Sequence, residues 1–317
     1  MVEHRACKRG VFSALKRLGI QLLVVWCGVF LFSDRAFAQA HEERLQLTLS
    51  SGKIIWARVR FPELTLQGDR TPPIPAVMVF GGFQNAARVI DEVEQLGLGK
   101  KVILASFDYP FEPPRQFRFP QSLFWYPKVV VMLREAIEGV GVLAEALSQD
   151  SRIEPGIVGL GASLGAPIMS IAAARSPRIS EVVLVHGFGR VPNTLALQLE
   201  RGLEKAFGNW DFLARASARV LAYTAWHCSG LPAPEKEANK LRANQSVFWV
   251  EAENDSFVPK AASESLREAI RGSRARFEMK VTPGGHVQPG SLQLMRQIGS
   301  AVGEWLTLVR RGRGTEV

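Results

Sequence analysis

GIVGLGASLGAPIMSIAAA occupies residues 156–174. A short apolar run enters Gly161-Ala162-Ser163-Leu164-Gly165, and small residues continue from there to Ala174. A continuous apolar run suits a strand buried on both faces, and the small-residue stretch suits a helix packed closely on a sheet. In G-x-S-x-G the chain turns sharply from strand to helix and holds the serine in a strained conformation. The flanking glycines remove side chains that would strike the neighbouring strand and helix. A serine hydroxyl is a poor nucleophile at neutral pH, so it needs a base within hydrogen-bond reach and donors for the oxyanion its attack creates. The turn offers Ser163 for the first role and aims the Leu164 amide at the second, with help from the helix N-terminus. A Gly/Ser-rich turn without chemistry produces the same five residues, so the strand before and the helix after are what give the motif weight.

Outward from this turn, strand and helix alternate. Residues 44–61 read as a hairpin, because RLQLTLS and KIIWARVRF alternate apolar and polar around Ser51-Gly52. AVMVF (76–80) is a buried strand stopped by Gly81-Gly82, a helix covers about 86–98, and KVILASF (101–107) is the next strand. Leu133, Ile137, Val140, Ala144 and Leu147 recur at helical spacing and place one face of a helix over 129–147 against a sheet. SEVVLVHGF (180–188), SVFWVEAEND (246–255) and RFEMKV (276–281) supply further strands, with a helix at about 259–271 between the last two. A final amphipathic helix carries Met295, Ile298, Val302, Trp305 and Val309 on one side. The pattern predicts an α/β fold: a mostly parallel sheet with an N-terminal antiparallel hairpin and helices on both faces. Residues 189–245 separate two strands by far more than the roughly two to six residues usual at such joints, which predicts a helical cap inserted over the carboxyl edge of the sheet.

Residues 1–38 read as a signal peptide: basic Lys8, Arg9, Lys16 and Arg17, an apolar run from Leu18 to Phe32, and Ala36-Phe37-Ala38 before a cut at Gln39. The apolar run falls short of the roughly 20 residues needed to span a bilayer, which favours cleavage over a membrane anchor at 18–32. Trp26 before Cys27 argues against lipidation, since a small residue belongs there. The expectation is a periplasmic or secreted protein of residues 39–309, with a flexible tail at 310–317. Only Cys228 of the three cysteines survives cleavage, so no internal disulfide is expected. The formal charge of +9 falls to +5 after the cut, because residues 1–38 carry six Lys/Arg and two acids. Basic residues are scattered without an aromatic-interleaved stripe, which excludes a nucleic-acid partner and leaves at most weak attraction to membrane surfaces. Oligomeric state is not legible.

From about Glu43 to Val309 the chain resembles an α/β-hydrolase, a family in which nucleophile, acid and histidine follow in that order. VFWVEAENDSFVP resembles the strand-ending segment that presents the acid and implies Asp255; VTPGGHV resembles the turn after the last strand and implies His286. VMVFGGF resembles the His-Gly-x turn after the third strand, whose last amide is the second oxyanion donor. That donor is Phe83 if Gly81 stands at the family's histidine position, and Gly82 if Phe80 does. Ser163, Asp255 and His286 would then be the catalytic residues, with Leu164 and Phe83 or Gly82 as the oxyanion hole.

The histidine can also be argued from the residues alone. His41 lies at the start of the mature chain, His227 sits in the cap beside Trp226 and Cys228, and His186 ends a strand on the Ser163 edge, where it either lines the pocket or is a satisfied core residue. His286 has glycines before it, a strand just upstream, and an acid earlier in the chain. Among acids, Glu251 and Glu253 lie within a strand's run, whereas Asp255 ends it before Pro259 at a helix start; Asp108 reads as a capping or turn residue. Phe111, Phe117, Phe119, Phe124 and Trp125, in the poorly periodic segment 107–126, border the pocket or pack the cap, with Phe111, Trp125 and His186 as candidate substrate contacts. Neither a His-rich ligand cluster nor a Gly-rich dinucleotide fingerprint is present, so neither metal nor redox cofactor is expected. These residues imply an exported carboxylic ester hydrolase acting on a small-molecule acyl ester. Thioesterase, dienelactone-hydrolase or serine-peptidase chemistry would use the same groups, and a catalytically inactive envelope binding or scaffold protein is the alternative outside enzymes.

Overall fold

The computed structural model describes residues 41–62, 72–83, 85–111, 124–207, 211–288 and 291–313. The expected leader and its cut, the alternative anchor at 18–32, and Phe117 and Phe119 lie outside them. No helix among the described residues is long and apolar enough to cross a membrane.

Eight strands form one sheet in the order β1-β2-β4-β3-β5-β6-β7-β8. β1 (Glu42–Thr48) and β2 (Ile54–Arg60) are the expected antiparallel hairpin, and β2 also runs antiparallel to β4 (Ile103–Phe107). β3 (Ala76–Phe80), β4, β5 (Ile157–Ala162), β6 (Ile179–Val185), β7 (Ser246–Ala252) and β8 (Arg276–Thr282) are mutually parallel. All carboxyl ends of the parallel strands therefore open on one edge, where ligands bind in open α/β sheets.

Alternation along the strands divides the interior into two cores. Met78, Ile157, Val182, Leu184, Val247 and Trp249 point to the face covered by α2 (Tyr126–Ser148), α3 (Gly165–Arg175) and α7 (Lys260–Arg271). Their neighbours Val77, Val79, Val158, Leu160, Val183, Val185, Phe248 and Val250 point to the face covered by α1 (Ala86–Gln95) and α8 (Leu292–Arg313). Strands buried on both sides must be apolar at nearly every position, which is why their sequences carry no alternation. On α8, Ile298, Val302 and Trp305 recur at helical spacing, and Trp305 stacks on Phe248 with centroids 5.2 Å apart. This helix continues to Arg313, four residues into the stretch expected to be a tail, and Arg310 pairs with Glu154 at 2.7 Å.

The long insertion contains α4 (Val191–Phe207), α5 (Asp211–Ser229) and the short α6 (Pro234–Ala238). Leu199 and Leu203 of α4 meet Ala214, Ala218 and Ala222 of α5, small residues four apart that let the two helices approach closely. Ala238 of α6 belongs to the main core. The part standing apart from the main core is thus the α4–α5 pair.

Candidate active site

Ser163 sits between β5 and α3 with φ of +54°, in the left-handed region that costs a residue with a Cβ. Its amide donates to the Val185 carbonyl at 2.9 Å, and its carbonyl accepts from the Ala166 amide at 3.0 Å. The motif's glycines are required by contact. A Cβ on Gly161 would lie 2.4 Å from the Gly165 oxygen, and one on Gly165 would lie 2.1 Å from the Phe80 oxygen. The strained turn is thereby clamped between β3 and β6.

Asp255 follows β7 and His286 follows β8, so both side chains come from the same sheet edge as Ser163. His286 Nε2 lies 2.8 Å from Ser163 Oγ, and His286 Nδ1 lies 2.7 Å from Asp255 Oδ2. With the proton on Nδ1, donated to the carboxylate, Nε2 is free to accept from the serine. Asp255 Oδ1 accepts from the amides of Phe257 and Val258 at 2.8 and 2.9 Å, which leaves Oδ2 for the histidine. Burial alone would raise this carboxyl, but the hydrogen bonds from His286 and from those two amides outweigh it and hold the group below the usual carboxylate range. The imidazole is nearly enclosed, with 5 % of its side chain exposed, and the Phe257 ring stacks on it at 4.8 Å. Backbone bonds from Glu253 to Thr282 and from Asn254 to Gly284 join the loop carrying the acid to the one carrying the histidine.

His186 does not line the pocket. It ends β6 at φ of +49° and is 3 % exposed, with its ring centroid 5.5 Å from that of His286. Its Nδ1 accepts from the Val287 amide at 2.8 Å, and its Nε2 lies 3.4 Å from Thr282 Oγ1, which donates to the Glu251 carbonyl. A neutral ring is what this arrangement needs. Burial first, then the like charge of His286, bring its pKa down to about 4 against the opposing pull of Asp255. Since the unfolded chain protonates this residue near its ordinary value of about 6.5 and the folded chain only near 4, the unfolded state binds more protons between those limits. Stability is unaffected by this group above that window and falls as pH drops through it, by about 3 kcal/mol. Denaturant titrations at pH 7 and pH 4 are expected to show a smaller acid loss in His186→Asn, since asparagine tolerates positive φ and does not titrate there.

The ligand atoms of His186, Asp255 and His286 lie within 4.8 Å of one another. Each ring nitrogen nevertheless has a protein partner, so the trio is a hydrogen-bonded assembly in which a metal would have to displace the Ser163, Asp255 or Val287 contact.

Gly81, Gly82 and Phe83 lie beside Ser163 on the wall of one cavity of about 1100 Å³. The amides of Leu164, Gly82 and Phe83 have no hydrogen-bond partner among the described residues and so could donate to an anion beside Ser163. Tyr109, whose buried hydroxyl is raised well above its ordinary pKa by desolvation, donates to the Gly81 carbonyl at 3.1 Å. A trans peptide then turns the Gly82 amide the opposite way. Trp125 lines the cavity, whereas Phe111 lies outside its lining, with the Lys128 ammonium 5.9 Å from its ring centroid; Phe124 is exposed. Asp108 accepts from the Ala86 amide at 2.7 Å and so caps α1, while Glu251 pairs with Arg267. Phe257 and Tyr109 were not singled out by sequence. Their only signals are adjacency to Asp255 and to the end of β4.

Sheet order, the strand-to-helix turn at Ser163, and the positions of Asp255 and His286 after β7 and β8 define the α/β-hydrolase fold, and this chain has it. Neither a family model nor a curated protein matches the sequence. Solved structures share its fold. The Pyrococcus furiosus esterase Pf2001 is similar at a TM-score of 0.58 and 13% identity over 84% of this chain and 92% of that one. A thermostable carboxyl esterase from Bacillus coagulans gives 0.55 and 14% over 84% and 98%, and acetyl xylan esterase 1 from Thermoanaerobacterium sp. JW/SL YS485 gives 0.54 and 15% over 81% and 83%.

Proposed function

We propose that the protein is a serine hydrolase that cleaves carboxylic esters by acyl transfer to water, with Ser163 as nucleophile, His286 as general base and Asp255 as the acid that orients it. The observation carrying this reading is the unbroken line from Asp255 Oδ2 through His286 to Ser163 Oγ, with links of 2.7 and 2.8 Å. His286 takes the serine proton as Oγ attacks the carbonyl carbon, and the imidazolium is stabilised by Asp255. The amides of Leu164 and of Phe83 or Gly82 hold the oxyanion. Collapse of the tetrahedral intermediate passes the proton from His286 to the departing alcohol. Water, deprotonated by the same ring, then cleaves the acyl-serine and restores the hydroxyl. Neighbours named as esterases support an ester over other acyl substrates. The basic start, apolar run and Ala36-Phe37-Ala38 of residues 1–38 support action outside the cytoplasm, in the periplasm or medium.

A fluorophosphonate probe tests the assignment. It is expected to label Ser163 in the wild type and not at all in Ser163→Ala. Label should persist in Cys228→Ser, a necessary control because this exposed thiol lines the same cavity. Correctly folded protein that takes no label would instead support a binding or scaffold role.

A further inference from the structure

We propose that an unbranched aliphatic chain of the ester substrate lies in a slot between α1 and α8, over the sheet face below Ser163; this rests on the ester-hydrolase reading above. Both helices start at the carboxyl edge of the sheet and run away from it. The cavity that reaches Ser163 and His286 continues along them, from Val89 to Leu96 on α1 and its end and from Met295 to Val302 on α8. At 1.5 Å per helical residue the stretch from Val89 to Leu96 is about 10 Å long.

Short side chains leave this space open. Val79 of β3, Leu160 of β5 and Val185 of β6 form the back wall. The floor closes where α8 offers a glycine: a Cβ built on Gly299 would stand 3.1 Å from Leu96 Cβ. The lower walls, including Val93, Ile298 and Val302, are wholly aliphatic. At the rim, Arg88 and Glu92 satisfy each other at 3.1 Å, so a charged tail finds no free counter-ion there. Protein interiors hold few voids larger than a water molecule, and water in an apolar void lacks hydrogen-bond partners. An extended chain entering from Ser163 meets neither objection, and each methylene it buries strengthens binding about fourfold.

Two substrate series measured on the purified protein identify which end of the ester occupies the slot: p-nitrophenyl esters from acetyl through butyryl to octanoyl, and acetates of ethanol through octanol. In one series kcat/KM is expected to rise at least tenfold from the four-carbon to the eight-carbon member. Val93→Phe, which fills the slot, should cut that ratio at least tenfold; Leu96→Ala, which opens the floor, should move the optimum to a longer chain. Neither series rising, with Ser163 still labelled by fluorophosphonate, overturns the slot and leaves the hydrolase reading intact. Calorimetry on Ser163→Ala needs no turnover: octanoate should bind at least tenfold more tightly than butyrate, and equal binding overturns the slot. If the acids bind as expected but wild-type Ser163 takes no label, the slot stands and the hydrolase reading falls.

Discussion

His286→Ala is expected to lower kcat/KM for a simple ester by a factor of about 10⁴, measured against an unchanged circular-dichroism spectrum. On the proposed mechanism the ring would serve both halves of the reaction, taking the serine proton and delivering it to the leaving oxygen, and among the described residues His286 alone hydrogen-bonds Ser163 Oγ. His186 cannot substitute, since it is buried and its Nδ1 is committed to the Val287 amide. The sharper form of the result lies in the double variant. Groups acting as one unit do not lose activity additively, so His286→Ala combined with Ser163→Ala should be little worse than either alone. Losses that multiply would mean that the 2.8 Å contact between Nε2 and Oγ has no part in the chemistry.

Gly165→Ala should destabilise the fold by about 3 kcal/mol or more and abolish fluorophosphonate labelling. A Cβ has no rotamer by which to escape, and its obstacle 2.1 Å away is the Phe80 carbonyl at the end of β3. Relief requires β3 and the Ser163 turn to separate, which displaces Gly82 and Phe83 relative to Ser163. Thermal unfolding should fall by roughly 6 °C or more. Gly141→Ala makes the contrast, because a Cβ there meets nothing within 4 Å in the middle of α2. That change should stabilise by about 0.5–1 kcal/mol. Equal effects of the two changes would show that the close approach at residue 165 is not a constraint.

The parts of this architecture that were legible in sequence are those with local causes. β3, β5, β6 and β7 announce themselves as short apolar runs because each is buried on both faces, and Ser163 is marked by glycines that only contact with β3 and α3 makes necessary. Asp255 and His286 could be found because each ends a strand and begins a turn. His186 satisfies the same description, and only its surroundings, the Val287 amide and the Thr282 hydroxyl, assign it to the interior. The slot beside α1 and α8 has no local cause at all. It is bounded by residues from 79 to 302, and what defines it is the shortness of side chains facing one another across more than two hundred positions. Phe111 illustrates the converse: aromatic character in a segment near the pocket carries no information about which way the ring turns.

Three groups brought from three separate loops would ordinarily demand two independent alignments, each with its own entropy of misplacement. Here Glu253 and Asn254 stitch the Asp255 loop to the backbone around Thr282 and Gly284, so acid and imidazole arrive as a prealigned pair. The remaining freedom is a single one, the placement of that pair against a serine whose backbone amide is already pinned by the Val185 carbonyl. Registration of the reactive groups is thus reduced from a problem of three bodies to one of two.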